Sequence, residues 1–345
     1  MATRKEIVNR MISAGMGTSK ALSIAQIPRS TYYYQSNGLR KGRLPSTKTL
    51  YKGQWVSNDR VVSAIHEMLA EDFIDYGYIR TAQSLKIQGF IINKKKVYRI
   101  MKEQQLLYPY KPLLARKKAY VAYSSPIYAR PFEALEMDFK YIYIQGVKKH
   151  AYLVSIQDIF TRMCLVWDLN WDMKTIRVVE RLNQLCDRWF IPYEVDPKQM
   201  SVIIRTDNGS QFIAKLFIDW LNHAHIQNEY IHPGTPQQNG HIESLHGTIQ
   251  RLVCTSYTFE SLDQAREVFT RFYDTYNNKR IMRAILYHTP AQFLALWYQN
   301  KIDVQSIDKK ITYRLSHETK IDLSQAKSIG KRVLQIENEY NKILT

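Results

Sequence analysis

Near residue 132 the periodicity of the chain changes, and the change limits what it can fold into. Before it, apolar residues recur at intervals of three and four, the spacing of one helix face: Ile7, Val8, Met11 and Ile12, then Val61, Ile65, Met68 and Leu69. After it come three runs rich in β-branched and aromatic residues, 132–144, 150–159 and 163–169. Short breaks at Gly146-Val147-Lys148-Lys149 and Thr161-Arg162 predict consecutive antiparallel hairpins. Helix-period and strand-period segments then alternate: a helix over 174–190, a short buried strand over 201–206, a helix over 215–225, a strand over 228–231, and helices over 238–257 and 261–279. Hairpin strands followed by alternating elements give a mixed α/β sheet with flanking helices, preceded here by all-α units.

Charge divides the chain at the same place. Residues 1–130 hold 23 Lys/Arg against 7 Asp/Glu, whereas 131–345 hold 26 against 24. A basic N-terminal third on a nearly neutral body predicts a polyanion-binding arm ahead of a separate catalytic or structural domain. Hydrophobic residues make up 45% of the 345 residues, enough for an ordinary core, which excludes a wholly disordered chain. No run of about 18 apolar residues exists to cross a membrane, and the N-terminus has no apolar signal core. Cys164, Cys186 and Cys254 are scattered without a CxxC pair, which argues against a disulfide framework and a cysteine-built zinc site. A cytoplasmic protein, nucleoid-associated when on DNA, is the expectation.

The basic third reads as two helical units. Residues 1–36 suggest a helix–turn–helix whose last helix starts with Ser30 as N-cap, placing Arg29, Ser30 and Tyr32 where DNA would be read. A small helical packing domain fits those residues equally well. A basic linker over 37–57 follows, then a second helix–turn–helix over 58–107. There Asn93 caps a helix opening on Lys94, Lys95 and Lys96, with Arg99 one turn on. Three lysines in a first turn oppose the helix dipole, a placement that suits phosphate contact better than stability; a solvated basic face is the plainer alternative. Residues 108–130, with Lys117 and Lys118, read as an extended basic connector. The tail over 298–345 reads as helical, with Leu323, Ala326, Ile329, Val333, Ile336 and Tyr340 recurring every three or four residues.

Three carboxylates stand in unusual company. Asp138 lies inside the apolar and aromatic strand LEMDFKYIYI, where a charge needs a partner or a metal. Asp207 follows the short strand SVIIRT, where Asn208-Gly209 turns the chain. Glu243 lies on a helix begun after Gly234, Pro236 and Gly240. In a mixed sheet the two aspartates can be adjacent, with the helix laid across them. Hard oxygen donors without Cys or His suit magnesium or manganese, and two such ions are the usual machinery for in-line displacement at phosphorus. Each carboxylate alone has a plain reading, as a salt-bridged strand residue or a common turn.

The strings TDNGSQF, IHPGTPQQNGHIES and YGYIRTAQSLKIQGFIINKKKVYRIMKEQQL change that balance. Over roughly residues 5–295 the chain resembles the DDE transposases and retroviral-type integrases, above all the second-frame transposases of bacterial copy-out insertion sequences. Asp207 and Glu243 have 35 residues between them, as in that family. The resemblance implies an RNase H-like catalytic domain over 131–297, with Asp138, Asp207 and Glu243 as catalytic residues holding two Mg2+ or Mn2+ ions. It implies 3′-end cleavage and strand transfer with water or a DNA 3′-hydroxyl as nucleophile. Gln238, Asn239 and Gly240 would form a loop near DNA, and Asn208 and Gly209 would shape the turn presenting Asp207. His246 and Gln250 share a helix face with Glu243 and are candidate DNA contacts, as is Arg251. Where relatives commonly carry Lys or Arg seven residues past the glutamate, this chain has Gln250, with Arg251 pointing about 100° away on an ideal helix. Glu136 and Met137, just before the first aspartate, also depart from the pattern.

The implied partners are double-stranded DNA, at terminal inverted repeats and at a target, and further copies of the chain, since two ends must meet. A helper protein from an upstream reading frame is also a candidate. Two other readings stay open: a catalytically inert, domesticated DNA-binding regulator, and an RNase H-like nuclease that cleaves without joining. The intact acidic trio weighs against the first, and the paired helix–turn–helix units against the second.

Overall fold

A computed structural model describes residues 2–34, 45–108, 128–232, 239–307 and 310–316. The chain forms two compact units, divided between Thr47 and Lys48.

In the first unit, helices α1 (Ala2–Ser13), α2 (Thr18–Ile24) and α3 (Arg29–Tyr33) gather around Val8, Ala21 and Leu22. Pro28, not Ser30, flanks the start of α3, and no side chain caps it. The fixed φ of proline suits that position, so Ser30 falls inside the first turn.

The second unit opens with a hairpin, β1 (Lys48–Tyr51) and β2 (Gln54–Ser57), where a basic linker is expected from the sequence. Lys52 and Gly53 both have positive φ (45° and 84°), the two-residue turn whose twist matches a hairpin. Helices α4 (Asn58–Leu69), α5 (Tyr78–Ile87) and α6 (Lys94–Glu103) follow, with β3 (Phe90–Ile91) adding a third strand beside β1. Tyr51 stacks on Phe90 at 4.3 Å between ring centroids, which draws the hairpin into the helical unit. Val61, Ile65, Leu85, Val97, Ile100 and Met101 form its core, and Asn93 caps α6 by accepting from the Lys96 amide at 2.9 Å.

The larger body is a five-stranded sheet in the order β6–β5–β4–β7–β8. Strands β4 (Ala134–Ile144), β5 (Lys149–Asp158) and β6 (Cys164–Asn170) are an antiparallel meander. Helices α7 (Thr175–Leu185) and α8 (Pro197–Met200) lead to β7 (Ile203–Thr206), which pairs parallel to β4; α9 (Lys215–His223) leads to β8 (Gln227–Tyr230), parallel to β7. This is the mixed α/β sheet with flanking helices expected of the chain. Alternation in β4 divides its side chains. Leu135 and Met137 join α7 and α9 in one core; Ile142 and Ile144 join α10 (Gly240–Ile249) and α11 (Leu262–Asn278) in the other. The Tyr273 and Tyr276 hydroxyls of α11 bond Ser155 and Gln157 of β5, at 2.7 and 2.8 Å.

Helix α12 (Pro290–Tyr298) is followed by β9 (Ile302–Ile307) and β10 (Lys310–Leu315), an antiparallel hairpin. The helical tail expected over 298–345 therefore begins instead with strands: Ile302, Val304, Tyr313 and Leu315 alternate and pack on Phe160, Phe293 and Leu296. The apolar repeat over 323–340 lies outside the described residues, as do 109–127, the greater part of the expected connector.

Candidate active site

Parallel pairing sets the first two carboxylates side by side. Glu136 of β4 is opposite Arg205 of β7. Two residues further on, the same register carries Asp138 to the level of Asp207, just past the last residue of β7. Asp207 Oδ1 accepts from the Gly209 amide at 2.9 Å, closing a turn that holds the carboxylate. A Cβ at position 209 would lie 2.9 Å from that oxygen, so a larger residue would push the carboxylate aside. Asn208 Nδ2 donates to the Ile231 carbonyl beyond β8 at 3.0 Å, fastening the turn to the next strand.

Helix α10 supplies the third. Its apolar residues Ile242, Leu245 and Ile249 face the sheet, and Glu243 is exposed beside them. One turn on, His246 Nδ1 lies 3.4 Å from Asp138 Oδ2, which places the Glu243 face of the helix over β4. The three donors fit a hard divalent cation by chemistry. Among the described residues, no three His, Cys, Asp or Glu side chains are gathered closely enough to hold a metal ion, so in this conformation the trio stands open.

What fixes α10 is a residue that the sequence flags only as a departure. Glu136 is 0% exposed and two positions before Asp138, on the same face of β4. Its Oε2 accepts from the His241 and Ile242 amides, at 3.0 and 2.7 Å. Those are the second and third amides of the helix, which an N-cap side chain would ordinarily satisfy, and Asn239 at the cap position makes no such bond. The sheet thus caps the helix that carries Glu243. Glu136 Oε1 faces Arg205 Nη1 at 3.5 Å, and Arg205 Nε donates to Glu229 of β8 at 2.7 Å. Burial pushes the Glu136 carboxyl up to about 7, against the lowering by Ile242, Arg205, Arg162 and His241. Burial, with Arg162 and Arg205 nearby, takes the His241 imidazole down to about 3.

The expected DNA contacts have varied surroundings. Lys94 and Lys95 are exposed, while Lys96 Nζ donates to the Lys48 carbonyl at 2.7 Å. Arg99 is 3.7 Å from Glu103, the Arg29 guanidinium lies over the Tyr33 ring, and Tyr32 donates to Asn9. Gln250 is exposed and begins a π-helical turn, Gln250–Cys254, that continues α10. Arg251, on that turn, donates to Asp75 of the second helical unit at 2.7 Å. Asn239, expected on a DNA-facing loop, is buried. Lys117, Lys118 and Gln238 lie outside the described residues.

Comparison with known proteins bears on the domains of the chain. Two integrase core domain families match residues 129–236 and 224–290, and an HTH-like domain family matches 57–112. The chain is 26% identical, over 85% of its length and 77% of the relative's, to the insertion element IS476 uncharacterized 39.2 kDa protein of Xanthomonas euvesicatoria. It is 24% identical to the transposase for insertion sequence element IS904 of Lactococcus lactis, over 69% of this chain and 93% of that one. The chain thus carries the sequence signatures of an integrase core domain and an HTH-like domain, and is similar to insertion-element proteins. Among solved structures it is similar to the HTLV-2 integrase catalytic core domain in complex with magnesium, at 18% identity and a TM-score of 0.35, over 48% of this chain and 97% of that one. No described helix is long and apolar enough to cross a membrane.

Proposed function

We propose that this chain binds the ends of an insertion element, cuts them to free 3′-hydroxyls and joins those ends to a target strand by in-line attack at phosphorus. The observation that carries the reading is the register that levels Asp138 with Asp207, beneath the helix bearing Glu243. Held by Asp138, Asp207 and Glu243, two magnesium or manganese ions would activate the attacking oxygen and relieve charge at the leaving one. The chain's own residues set the geometry. Gly209 N fixes Asp207, His246 orients Asp138, and Glu136 anchors the helix of Glu243. The exposed lysines of α6 and the first unit supply phosphate contact, and joining two ends calls for a dimer or larger assembly, with an upstream-frame helper protein as a candidate partner.

The test is purified protein, Mg2+ and a labelled duplex carrying a terminal inverted repeat. Joined product supports the reading. Cleavage alone points to a nuclease, and binding alone to an inert regulator. Asp138→Asn, Asp207→Asn and Glu243→Gln are each expected to abolish chemistry with end binding nearly intact; joining at the wild-type rate by any of them removes that residue from the site.

A further inference from the structure

A groove of about 630 Å3 runs between the start of β5, the segment after β6, the start of α7 and the loop that follows Asp207. Lys149, Tyr152, Trp171, Lys174, Ser210 and Gln211 line it. Its chemistry is aromatic and cationic together. Lys149 Nζ lies over the Trp171 ring at 5.5 Å. Tyr152 packs against Tyr141 across the β4–β5 pair at 5.2 Å, and His150 packs against Tyr143 at 5.0 Å. These four rings share one face of the hairpin, because Tyr141 is paired with Tyr152 and Tyr143 with His150. Tyr141 is 63% exposed and Tyr143 45%, so a ladder of rings continues from the groove with no protein over it among the described residues. The one carboxylate in the lining, Asp172, is engaged by Arg177 at 2.9 Å, which leaves the net charge presented to a ligand positive.

We infer that this groove and its ring ladder are a binding site for unpaired DNA: bases stack on Tyr141, Tyr152 and Trp171 while Lys149 and Lys174 hold the phosphates. The inference rests on the strand-joining reading above and deepens it. Three features select this occupant. Every base has a π face, and cation-lined aromatic platforms hold single strands without reading sequence. A paired base keeps its faces inside the duplex stack, so stacking of this kind selects an unpaired strand. Ser210 and Gln211 place the groove three and four residues from Asp207, where a strand leaving the site of cleavage or joining would run.

The experiment is photocrosslinking of the full chain, without added metal, to an oligothymidylate carrying one 5-iodouracil, with peptide mapping of the adducts. Adducts are expected on Tyr141, Tyr152 or Trp171. Tyr141→Ala and Lys149→Ala change exposed side chains and keep the fold. Each is expected to lower the yield at this site about tenfold, the equivalent of one base–aromatic stack; Tyr141→Phe restores it. Adducts confined to other regions, equal yield with a fully paired duplex, or unchanged yield in both variants overturns the inference. Strand joining measured on the same preparations keeps the two proposals separate. Joining without adducts here removes the groove alone, and adducts here without joining removes the transposition reading alone.

Discussion

Replacing Glu136 tests whether the sheet positions the helix that carries Glu243. Glu136→Ala removes the acceptor of two helix-terminal amides and one carboxylate partner of Arg205. Loss of the cap is worth about 1 kcal/mol. Loss of a buried ion partner costs about 3–5 kcal/mol when the other charge is stranded, but Arg205 keeps Glu229, so roughly 2 is the appropriate share. About 3 kcal/mol in total is expected in urea unfolding, with faster amide exchange at His241 and Ile242 and a fall of at least tenfold in strand joining. Glu136→Gln keeps an oxygen for the amides and isolates the charge. A carboxyl raised from 4.5 to about 7 is protonated in the fold, at no cost, below pH 4.5. As pH climbs from 4.5 to about 7 the unfolded chain releases the proton first, so the fold loses stability, by about 3 kcal/mol at 1.36 per unit, and the loss is constant above pH 7. The stability of wild type minus Glu136→Gln is therefore expected to fall across that window. A difference that is flat from pH 5 to 8, together with wild-type joining and amide protection in Glu136→Ala, refutes the tether.

Asp75→Asn should cost about 3–5 kcal/mol at pH 7, because it strands buried Arg280 as well as freeing Arg251. Burial raises the Asp75 carboxyl, but Arg280 and Arg251 outweigh it and hold it below its ordinary 3.8; its contribution is thus present above that value and lost as pH falls through the folded one, so wild type and variant should converge in acid urea titrations. Gly209→Ala, which pushes a Cβ against Asp207 Oδ1, should reduce joining at least tenfold while a filter-binding assay shows end affinity unchanged. Lys94→Ala with Lys95→Ala should weaken end binding and flatten its dependence on salt by about two in log–log slope; an unchanged slope returns α6 to a solvated face.

How much of this was legible in the sequence depends on how far apart the interacting residues are. Local signals carried through: the strand alternation around Asp138, the Asp207-Asn208-Gly209 turn, the Asn93 cap and the helices of the larger body. The β1–β2 hairpin was hidden because its turn is Lys52-Gly53 rather than Asn-Gly or Asp-Gly, and its flanking residues are basic enough to read as linker. Strands β9 and β10 were overshadowed by the stronger apolar repeat after them. The cap on α10 was illegible in a deeper sense, since donor and acceptor are 105 and 106 residues apart. The one available signal was Glu136 itself, a second acid two positions from the first in an otherwise apolar strand. Arg251 shows the same limit, because its partner Asp75 is 176 residues earlier.

Those two distant pairings meet on one helix, and together they explain why buried charge is retained there. Glu136 holds the N-terminal end of α10 from β4, the strand of Asp138. Asp75 holds the turn that continues its C-terminal end, through Arg251, from the helical unit expected to grip DNA. Asp75 also binds Arg280, and Tyr76 accepts from the Ile281 amide at 2.7 Å, so the same segment is fastened past the end of α11. Hydrophobic residues of equal volume at these positions would cost less to bury. They could not select one rotation and one height for the helix, because dispersion contacts are non-directional whereas a carboxylate shared by two amides is satisfied in a single geometry. Glu243 is exposed. Its placement is therefore inherited from the two ends of its helix, one tied to the strand of Asp138 and the other to the helical unit over 58–107.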